Sequence, residues 1–350
     1  MRRKFKVIIP IIIFLWVLSF FVSVKIGLLL TLFGAVVLLC LIVFLILNKF
    51  VKRTNWWKNQ YLATEQFVSN VGYRDNIIRN YDVVNLGSNP AHFAFFYERV
   101  KGQSWSTGSQ GLDMDFEILK CYHSYLKDGA TVLIPIMPFT AISPYLKDRP
   151  DYWGLTYYSK FAKILDPTQV RALPLGNVVG YYLLYPLFFN LKAVRFFIKD
   201  VPLDVRYEMS EQPMMNMELE QDAATWINNW LEEFDLRSLN DVTNIEWQKY
   251  YDEAIELLKG IVDFCIERRL KPAFVCVPMT RHLSDLFSDE FYKHMITDFI
   301  GMVNEHNIPF LDYTFDERFQ DDNYYFNSFF MNLKGRKLFS RQILKDLSIN

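Results

Sequence analysis

The chain has 350 residues, of which 51% are hydrophobic and 17% aromatic, and its formal net charge is −1. This composition excludes a disordered chain, and the near-neutral charge gives no indication of a nucleic-acid partner. The length allows a membrane segment followed by one domain of roughly 250–300 residues, or by two small domains. The four cysteines are scattered without a Cys-x-x-Cys pair, so the sequence predicts neither a disulfide framework nor a zinc site.

Two apolar runs open the chain. Residues 7–24 are apolar throughout, Lys25 interrupts, and residues 26–47 are apolar again. Each run is close to the roughly 20 residues that a spanning helix needs. No small-x-small cleavage site separates the runs, which argues against a cleaved signal peptide. The sequence therefore predicts a two-helix transmembrane hairpin within residues 1–57, with the lipid bilayer as its first partner.

Basic residues indicate how this hairpin is oriented. They flank the outer ends of both runs, as Arg2, Arg3, Lys4, Lys6, Lys49, Lys52, Arg53 and Lys58. Only Lys25 lies between the runs. Because basic flanks favour the cytoplasmic side, we expect a protein of the plasma (inner) membrane whose domain, residues 58–350, faces the cytoplasm. The competing topology has one span and an external domain.

The rest of the chain alternates strands and helices. Continuous apolar runs predict buried strands at 82–87, 131–139, 273–279 and 309–313. Periodic patterns predict helices at 90–100, 111–129, 222–236, 245–269, 288–306 and about 333–347. Strands this apolar, alternating with helices, are typical of a parallel sheet covered on both faces. We therefore expect a doubly wound, mostly parallel, flavodoxin-like α/β domain with a helical insertion at about 140–240.

One apolar segment has several interpretations. Residues 175–198 carry only Lys192 and Arg195 as charged residues, and Pro186 would kink a helix there. The segment fits a core or cap helix, a helix lying in the membrane interface, or a third span. A third span would place the two halves of the sheet on opposite sides of the bilayer.

Three stretches carry the candidate chemistry. The first, "NLGSNPAHF" (85–93), is a strand that runs into a glycine turn and a helix. The second, "STGSQGLDMDFEILK" (106–120), is a Gly- and Ser-containing loop that opens a helix, and the third is "FNSFFMNLKGRKLFS" (326–340). With these stretches the chain resembles the SGNH (GDSL-like) hydrolase superfamily, over roughly residues 80–140 and 270–348. Within it, the likeness is to membrane-linked branches associated with bacterial cell-surface polysaccharide and teichoic-acid acylation.

The resemblance places the family's catalytic positions on residues that cannot perform its chemistry. The family has Gly-x-Ser in the first stretch and Asp-x-x-His-Leu-Asn-x-x-Gly in the third. The matching positions here are Gly87, Asn89, Asn327, Phe330, Asn332 and Gly335. Asn89 thus replaces the nucleophile, Asn327 the aspartate and Phe330 the histidine. Phenylalanine cannot accept a proton and an asparagine amide is a poor nucleophile, so the family's acyl-transfer mechanism is not expected.

A relocated site is the alternative. Ser88 adjoins the nucleophile position, while His282 and Asp312 follow or close strands whose ends would face the same crevice. A Ser88–His282–Asp312 set would support an acyl esterase or O-acyltransferase. His92, about one helical turn beyond Asn89, is interpreted as a packing or surface residue.

The favoured interpretation is a non-catalytic, membrane-anchored module. Its crevice, around Ser88, Asn89, Arg281, His282 and Asn327, would bind a glycan, a glycan-lipid or a partner membrane enzyme in surface-polysaccharide assembly. Asn327 and Asn332 would hold the last loop through bonds to backbone. No Gly-x-Gly-x-x-Gly, P-loop or His-x-x-x-His spacing occurs, so we expect no nucleotide cofactor and no metal.

Overall fold

The computed structural model of the chain describes residues 24–57, 68–69, 72–73, 80–106, 108, 110–149, 176, 186–187, 190–202 and 216–349. They fall into two compact units. One comprises Met1–Thr54 with Leu183–Val201, and the other comprises Asn55–Tyr182 with Pro202–Asn350.

The described strands are β1 Val68–Ser69, β2 Gly72–Tyr73, β3 Tyr81–Asn85, β4 Gly102–Ser104, β5 Leu126–Pro135, β6 Lys271–Cys276 and β7 Phe310–Asp312. The described α-helices are α1 Val24–Val51, α2 Asn89–His92, α3 Leu112–Tyr122, α4 Tyr145–Asp148, α5 Arg195–Ile198, α6 Asn216–Glu233, α7 Gln248–Glu267, α8 Arg281–Ser284, α9 Asp289–Tyr292, α10 Phe299–Val303 and α11 Leu333–Asp346. A π-helical segment, Lys293–Asp298, joins α9 to α10.

The core of the larger unit is a five-stranded sheet in the order β4-β3-β5-β6-β7, in which every pairing is parallel. Counted along the chain this is 2-1-3-4-5, one of the two common orders of doubly wound sheets. Val84, Val132 and Phe274 pack into one hydrophobic cluster, with residues from α3 and α7. Val83 and Leu133 point to the opposite face, where α11 covers them. The prediction of a parallel α/β sheet is confirmed, because strands buried on both faces need apolar residues at every position.

The helix predicted at 90–100 is wrong beyond its first turn, since α2 ends at His92. The chain then turns, and groups on α11 bond the backbone that a continuing helix would have satisfied itself. Arg336 Nη2 donates to the carbonyls of His92 (3.4 Å) and Phe95 (2.6 Å). The Phe96 N–H donates to Ser340 Oγ at 2.7 Å. Partners from the end of the chain thus replace local helical hydrogen bonds.

The helix predicted at 111–129 also ends early. Helix α3 stops at Tyr122, and strand β5 already begins at Leu126. Tyr81 of β3 pairs with Leu126 and Val83 with Thr131, so a bulge in β5 lies between these pairs. Gly129 sits in this bulge at φ +76°, which a side-chain-bearing residue rarely adopts. The three-residue edge strand β4 was not predicted, because it is too short to show a period.

In the smaller unit, α1 is a continuous helix of 28 residues, about 42 Å long at 1.5 Å per residue. Its mean hydropathy reaches 3.2, and it is the one helix in the described part of the chain long and apolar enough to cross a membrane. Lys25, predicted to separate two spans, lies inside this helix. Apart from Val24, the first predicted span at 7–24 lies outside the described residues.

Little of the apolar segment at 175–198 is described. Its end forms a 3-10 turn, Leu191–Val194, followed directly by α5. These eight residues make a single short helical stretch. The rest of the segment, apart from residues 176, 186, 187 and 190, lies outside the described residues.

Candidate binding crevice

The turn after β3 is built around Gly87. Its φ of +101° is one that residues with a side chain rarely adopt, and an added Cβ would lie 3.0 Å from Ala91 Cβ and 3.1 Å from Pro135 Cβ. Glycine is therefore what lets the chain reverse close to β5 and enter α2. Ser88 occupies the N-cap position of α2, and its side chain makes no capping hydrogen bond. Asn89 is the first helical residue.

A crevice of ≈ 580 Å³ opens at this turn. Gly87 and Pro135 line it from the carboxyl ends of β3 and β5, the point at which the strand order reverses. Ligands of doubly wound sheets bind at such switch points. The polar part of its lining includes Ser88, Asn89, Gln110, Asp115, Asn229 and Glu233. The aromatic part includes Phe139, Trp226, Trp230, Phe234, Phe329 and Phe330.

Asp115 is the most unusual group in the crevice. Its Oδ1 accepts the Gly87 N–H at 2.8 Å and the Gln110 Nε2–H at 2.5 Å. Burial raises its pKa to about 7, against the lowering effect of these two hydrogen bonds. The nearby Asp113 raises the pKa slightly further. Asp115 thus ties α3 to the Gly87 turn and can exchange a proton near neutral pH.

Sequence reasoning missed Asp115, although a signal was present. Residues 112, 115, 116 and 119 share one face of α3, and Leu112 and Leu119 on that face are buried. A carboxylate on an otherwise apolar helix face is buried with it, which requires hydrogen-bond donors from elsewhere in the fold. Those donors came from Gly87 and Gln110, which periodicity cannot locate.

The side-chain carbonyl oxygen of Gln110, at the crevice wall, accepts no hydrogen bond from the described residues. Gln110 Nε2 donates to the Trp105 carbonyl at 3.1 Å as well as to Asp115. Its Oε1 is buried and has no hydrogen-bond partner among the described residues. A buried carbonyl oxygen without a donor is costly, so a ligand hydroxyl or amide would find an acceptor here.

Charged groups at the crevice rim are mostly acidic and already paired. Lys147 Nζ lies 3.7 Å from Asp113 Oδ2. Arg149 Nη1 donates to the last carbonyls of α6, those of Glu232 (2.9 Å) and Glu233 (2.8 Å). Burial raises the pKa of the Glu233 carboxyl, and Arg149 partly opposes this. An anionic ligand group would therefore meet carboxylates rather than available cations.

Phe330 belongs to the aromatic wall. Its ring centroid lies 4.8 Å from that of Phe93, 5.2 Å from Trp226 and 5.3 Å from Phe329. The side chain fills this wall by packing and offers no group that could accept a proton. Phe330 therefore presents an apolar surface at the position that the resemblance matches to the histidine of the SGNH hydrolases.

The two asparagines of the third stretch bond to backbone. Asn327 Oδ1 accepts the N–H groups of Phe329 (2.9 Å) and Phe330 (2.6 Å). Asn332 caps α11 by accepting the Gly335 N–H at 3.1 Å, and its Nδ2 donates to the Asn323 carbonyl at 2.9 Å. Both side chains therefore shape the loop before α11, and neither lines the crevice.

The structure does not join Ser88, His282 and Asp312 into one set. Ser88 lines the crevice, whereas His282 and Asp312 are not among its lining residues. His282 Nε2 lies 3.2 Å from Asp322 Oδ2, while Asp312 Oδ2 accepts the Tyr292 hydroxyl at 2.7 Å.

Two further predicted positions lie apart from the crevice. Arg281 approaches Glu317 at 3.8 Å on the surface. His92 is buried, with Nδ1 3.4 Å from the Ser106 carbonyl and its ring against Phe93. Among the residues with described positions, no three His, Cys, Asp or Glu side chains cluster so as to hold a metal ion.

A scan of the sequence against models of known protein families finds no match, and a search of curated proteins finds none either. The resemblance to the SGNH hydrolases therefore rests on the three stretches given above.

Proposed function

We propose that this protein is a membrane-anchored, non-catalytic member of the SGNH-like proteins, whose crevice binds a glycan or the glycan part of a glycan-lipid during bacterial surface-polysaccharide assembly or modification. The observation that carries the proposal is an open crevice at the switch point beside Asn89 and Phe330. The ligand position is retained, while the groups needed for acyl transfer are replaced.

The crevice chemistry favours binding over bond cleavage. Ser88 lines it, but among the described residues no hydrogen bond joins the Ser88 side chain to an imidazole that could take its proton. Asp115 Oδ1 accepts hydrogen bonds from Gly87 and Gln110, so this carboxyl serves to hold the turn that shapes the crevice. A partner membrane enzyme would carry out any chemistry on the bound glycan.

The lining favours a neutral, hydroxyl-rich ligand. Aromatic faces such as that of Trp226 pack against the C–H face of a sugar ring, while Asn89, Asn229 and Gln110 Oε1 offer hydrogen bonds to hydroxyls. The carboxylates at the rim disfavour phosphate or sulfate at the same place. The bound part is therefore the glycan, with any lipid phosphate outside the crevice.

The membrane topology is part of the proposal. The first apolar run would form the other span of the hairpin. The turn between the two spans would lie before Val24, because Val24 and Lys25 already belong to α1. The basic flanks at both outer ends support a cytoplasmic domain at the inner membrane. A fusion of alkaline phosphatase to the last residue tests this topology, because the enzyme is active only after export. We expect the fusion to be inactive. An active fusion would establish the external topology instead.

Glycan binding is expected to depend on crevice residues of α6. We expect the full chain in nanodiscs to retain neutral bacterial surface oligosaccharides on a glycan array. Asn229→Ala and Trp226→Ala should weaken binding about tenfold, which corresponds to about 1.4 kcal/mol, since each removes a side chain that lines the crevice. Asn228→Ala is the matched control, because Asn228 is an exposed neighbour on the same helix that does not line the crevice. An equal loss in all three variants, or no retained glycan, would contradict the proposal.

Ester hydrolysis is expected to be absent. Wild type, Ser88→Ala and His282→Ala should hydrolyse p-nitrophenyl acetate at the same background rate, and a fluorophosphonate probe should not label the wild-type chain. Turnover or labelling that disappears in Ser88→Ala would establish the acyl esterase or O-acyltransferase alternative.

A further inference from the structure

The segment next to the end of α1 presents an unusual surface. The Leu187 N–H donates to Asn48 Oδ1 at 3.3 Å, and the rings of Phe50 and Phe197 lie 5.5 Å apart. The segment is thereby attached to the carboxyl-terminal turns of the apolar helix α1, inside the smaller unit.

Large apolar side chains of this segment are exposed. Leu191 is 66% exposed, Phe197 52% and Ile198 84%. Exposed apolar groups this close together mark an interaction surface rather than ordinary surface scatter. They continue the exposed apolar surface of α1, in which none of the most apolar window is buried.

The same region is strongly basic. Lys192, Arg195 and Lys199 accompany the exposed apolar residues, and the end of α1 adds Lys49, Lys52 and Arg53. Asp200 is the one acidic residue among the described positions of the smaller unit. A short helical stretch with apolar and basic side chains beside a membrane span is suited to the boundary between acyl chains and anionic headgroups.

We propose that residues 190–199 form an interfacial anchor, which inserts Leu191, Phe197 and Ile198 among the acyl chains and holds anionic phospholipid headgroups with Lys192 and Arg195. The eight helical residues would extend only about 12–16 Å, too little to cross the hydrocarbon core of about 30 Å. This anchor does not depend on the proposed glycan function.

Photo-crosslinking tests the insertion. The full chain is prepared in nanodiscs with p-benzoylphenylalanine at one position, and lipid adducts are identified by mass spectrometry. We expect adducts from Ile198 and from Leu39, which is 61% exposed in α1 and reports that the chain is inserted. Ile245 is the matched control: it is an isoleucine 88% exposed, but it lies near Asp241 and Glu246. Adducts at Leu39 without any at Ile198, or equal yields at Ile198 and Ile245, would overturn the anchor.

Lipid composition tests the headgroup contact. In nanodiscs of phosphatidylcholine with phosphatidylglycerol, the anionic lipid should contribute at least about twice its mole fraction to the Ile198 adducts. The double variant Lys192→Gln/Arg195→Gln should return the adducts to the mole fraction, while the Leu39 adducts stay unchanged. Adducts at Ile198 that follow the mole fraction in the unaltered chain would overturn the anionic-headgroup part of the proposal.

Discussion

Replacing Gly335 by alanine is expected to lower the free energy of unfolding by about 3 kcal/mol or more, with a large drop in melting temperature. An added Cβ would lie 2.2 Å from the Tyr324 carbonyl oxygen and 2.9 Å from Tyr324 Cβ. The carbonyl belongs to the backbone and cannot rotate away, so the loop before α11 would have to move. Circular dichroism of the detergent-solubilised full chain, followed through thermal and denaturant unfolding, measures the effect.

Gly301 provides the control for this prediction. It lies in helix α10, and an added Cβ would meet no atom within 4 Å. Gly301→Ala should leave the stability unchanged or raise it by up to about 1 kcal/mol, because alanine is the better helix former. If both variants lose stability equally, the close approach of α11 to Tyr324 is not what requires glycine at position 335.

The second large effect concerns the buried carboxyl of Asp115. An unfolded aspartate titrates near pH 4, whereas burial in the fold raises the pKa of Asp115 to about 7. Between these values the folded state binds more protons than the unfolded state, so the free energy of unfolding falls as the pH rises. From pH 5 to pH 8 this one group should reduce it by an amount on the order of 2 kcal/mol.

Asp115→Asn isolates this contribution. An asparagine Oδ1 can still accept from Gly87 and Gln110, since both donors meet the same oxygen, and it carries no charge to bury. At pH 8 the variant should be at least as stable as wild type, and the difference should shrink toward pH 5. Denaturant midpoints at pH 5, 6, 7 and 8 test this. Parallel pH profiles of wild type and Asp115→Asn would mean that Asp115 titrates normally.

Asp115→Ala separates the hydrogen bonds from the charge. It leaves the Gly87 N–H without its acceptor and Gln110 Nε2 with only the Trp105 carbonyl. A buried N–H left without an acceptor lowers the free energy of unfolding by about 1–3 kcal/mol, so Asp115→Ala should be less stable than Asp115→Asn at every pH. It should also disturb the Gly87 turn and therefore weaken glycan retention.

Three residues that carry the resemblance to hydrolases, Gly87, Gly335 and Asn332, have structural roles in this fold. Gly87 permits the turn into α2, Gly335 permits the approach of α11, and Asn332 caps that helix. Each has a structural role that needs no catalytic residue. The fold itself therefore accounts for these three residues of the resembling stretches, and the proposed absence of catalysis leaves the turn, the close approach and the cap in place.

The sequence by itself determined the three central strands of the sheet, β3, β5 and β6. These strands are largely buried on both faces, so the apolar runs at 82–87, 131–139 and 273–279 predicted them without any knowledge of their neighbours. Long amphipathic helices such as α7 were equally predictable from the sequence, because the spacing of apolar residues along one helix face is a local property of the chain. The role of Asn327 and Asn332 in the loop before α11 was predictable too, since both side chains bond to backbone groups a few residues away.

Only the tertiary structure decided the boundaries and the crevice. The helix after Asn89 stops at His92 because Arg336 and Ser340, more than 240 residues later, take up its backbone bonds. The raised pKa of Asp115 likewise needs burial beneath distant elements, which outweighs the lowering effect of the Gly87 N–H. These contacts join residues far apart in the chain, and periodicity and propensity describe only neighbours, so no pattern in the sequence could specify them.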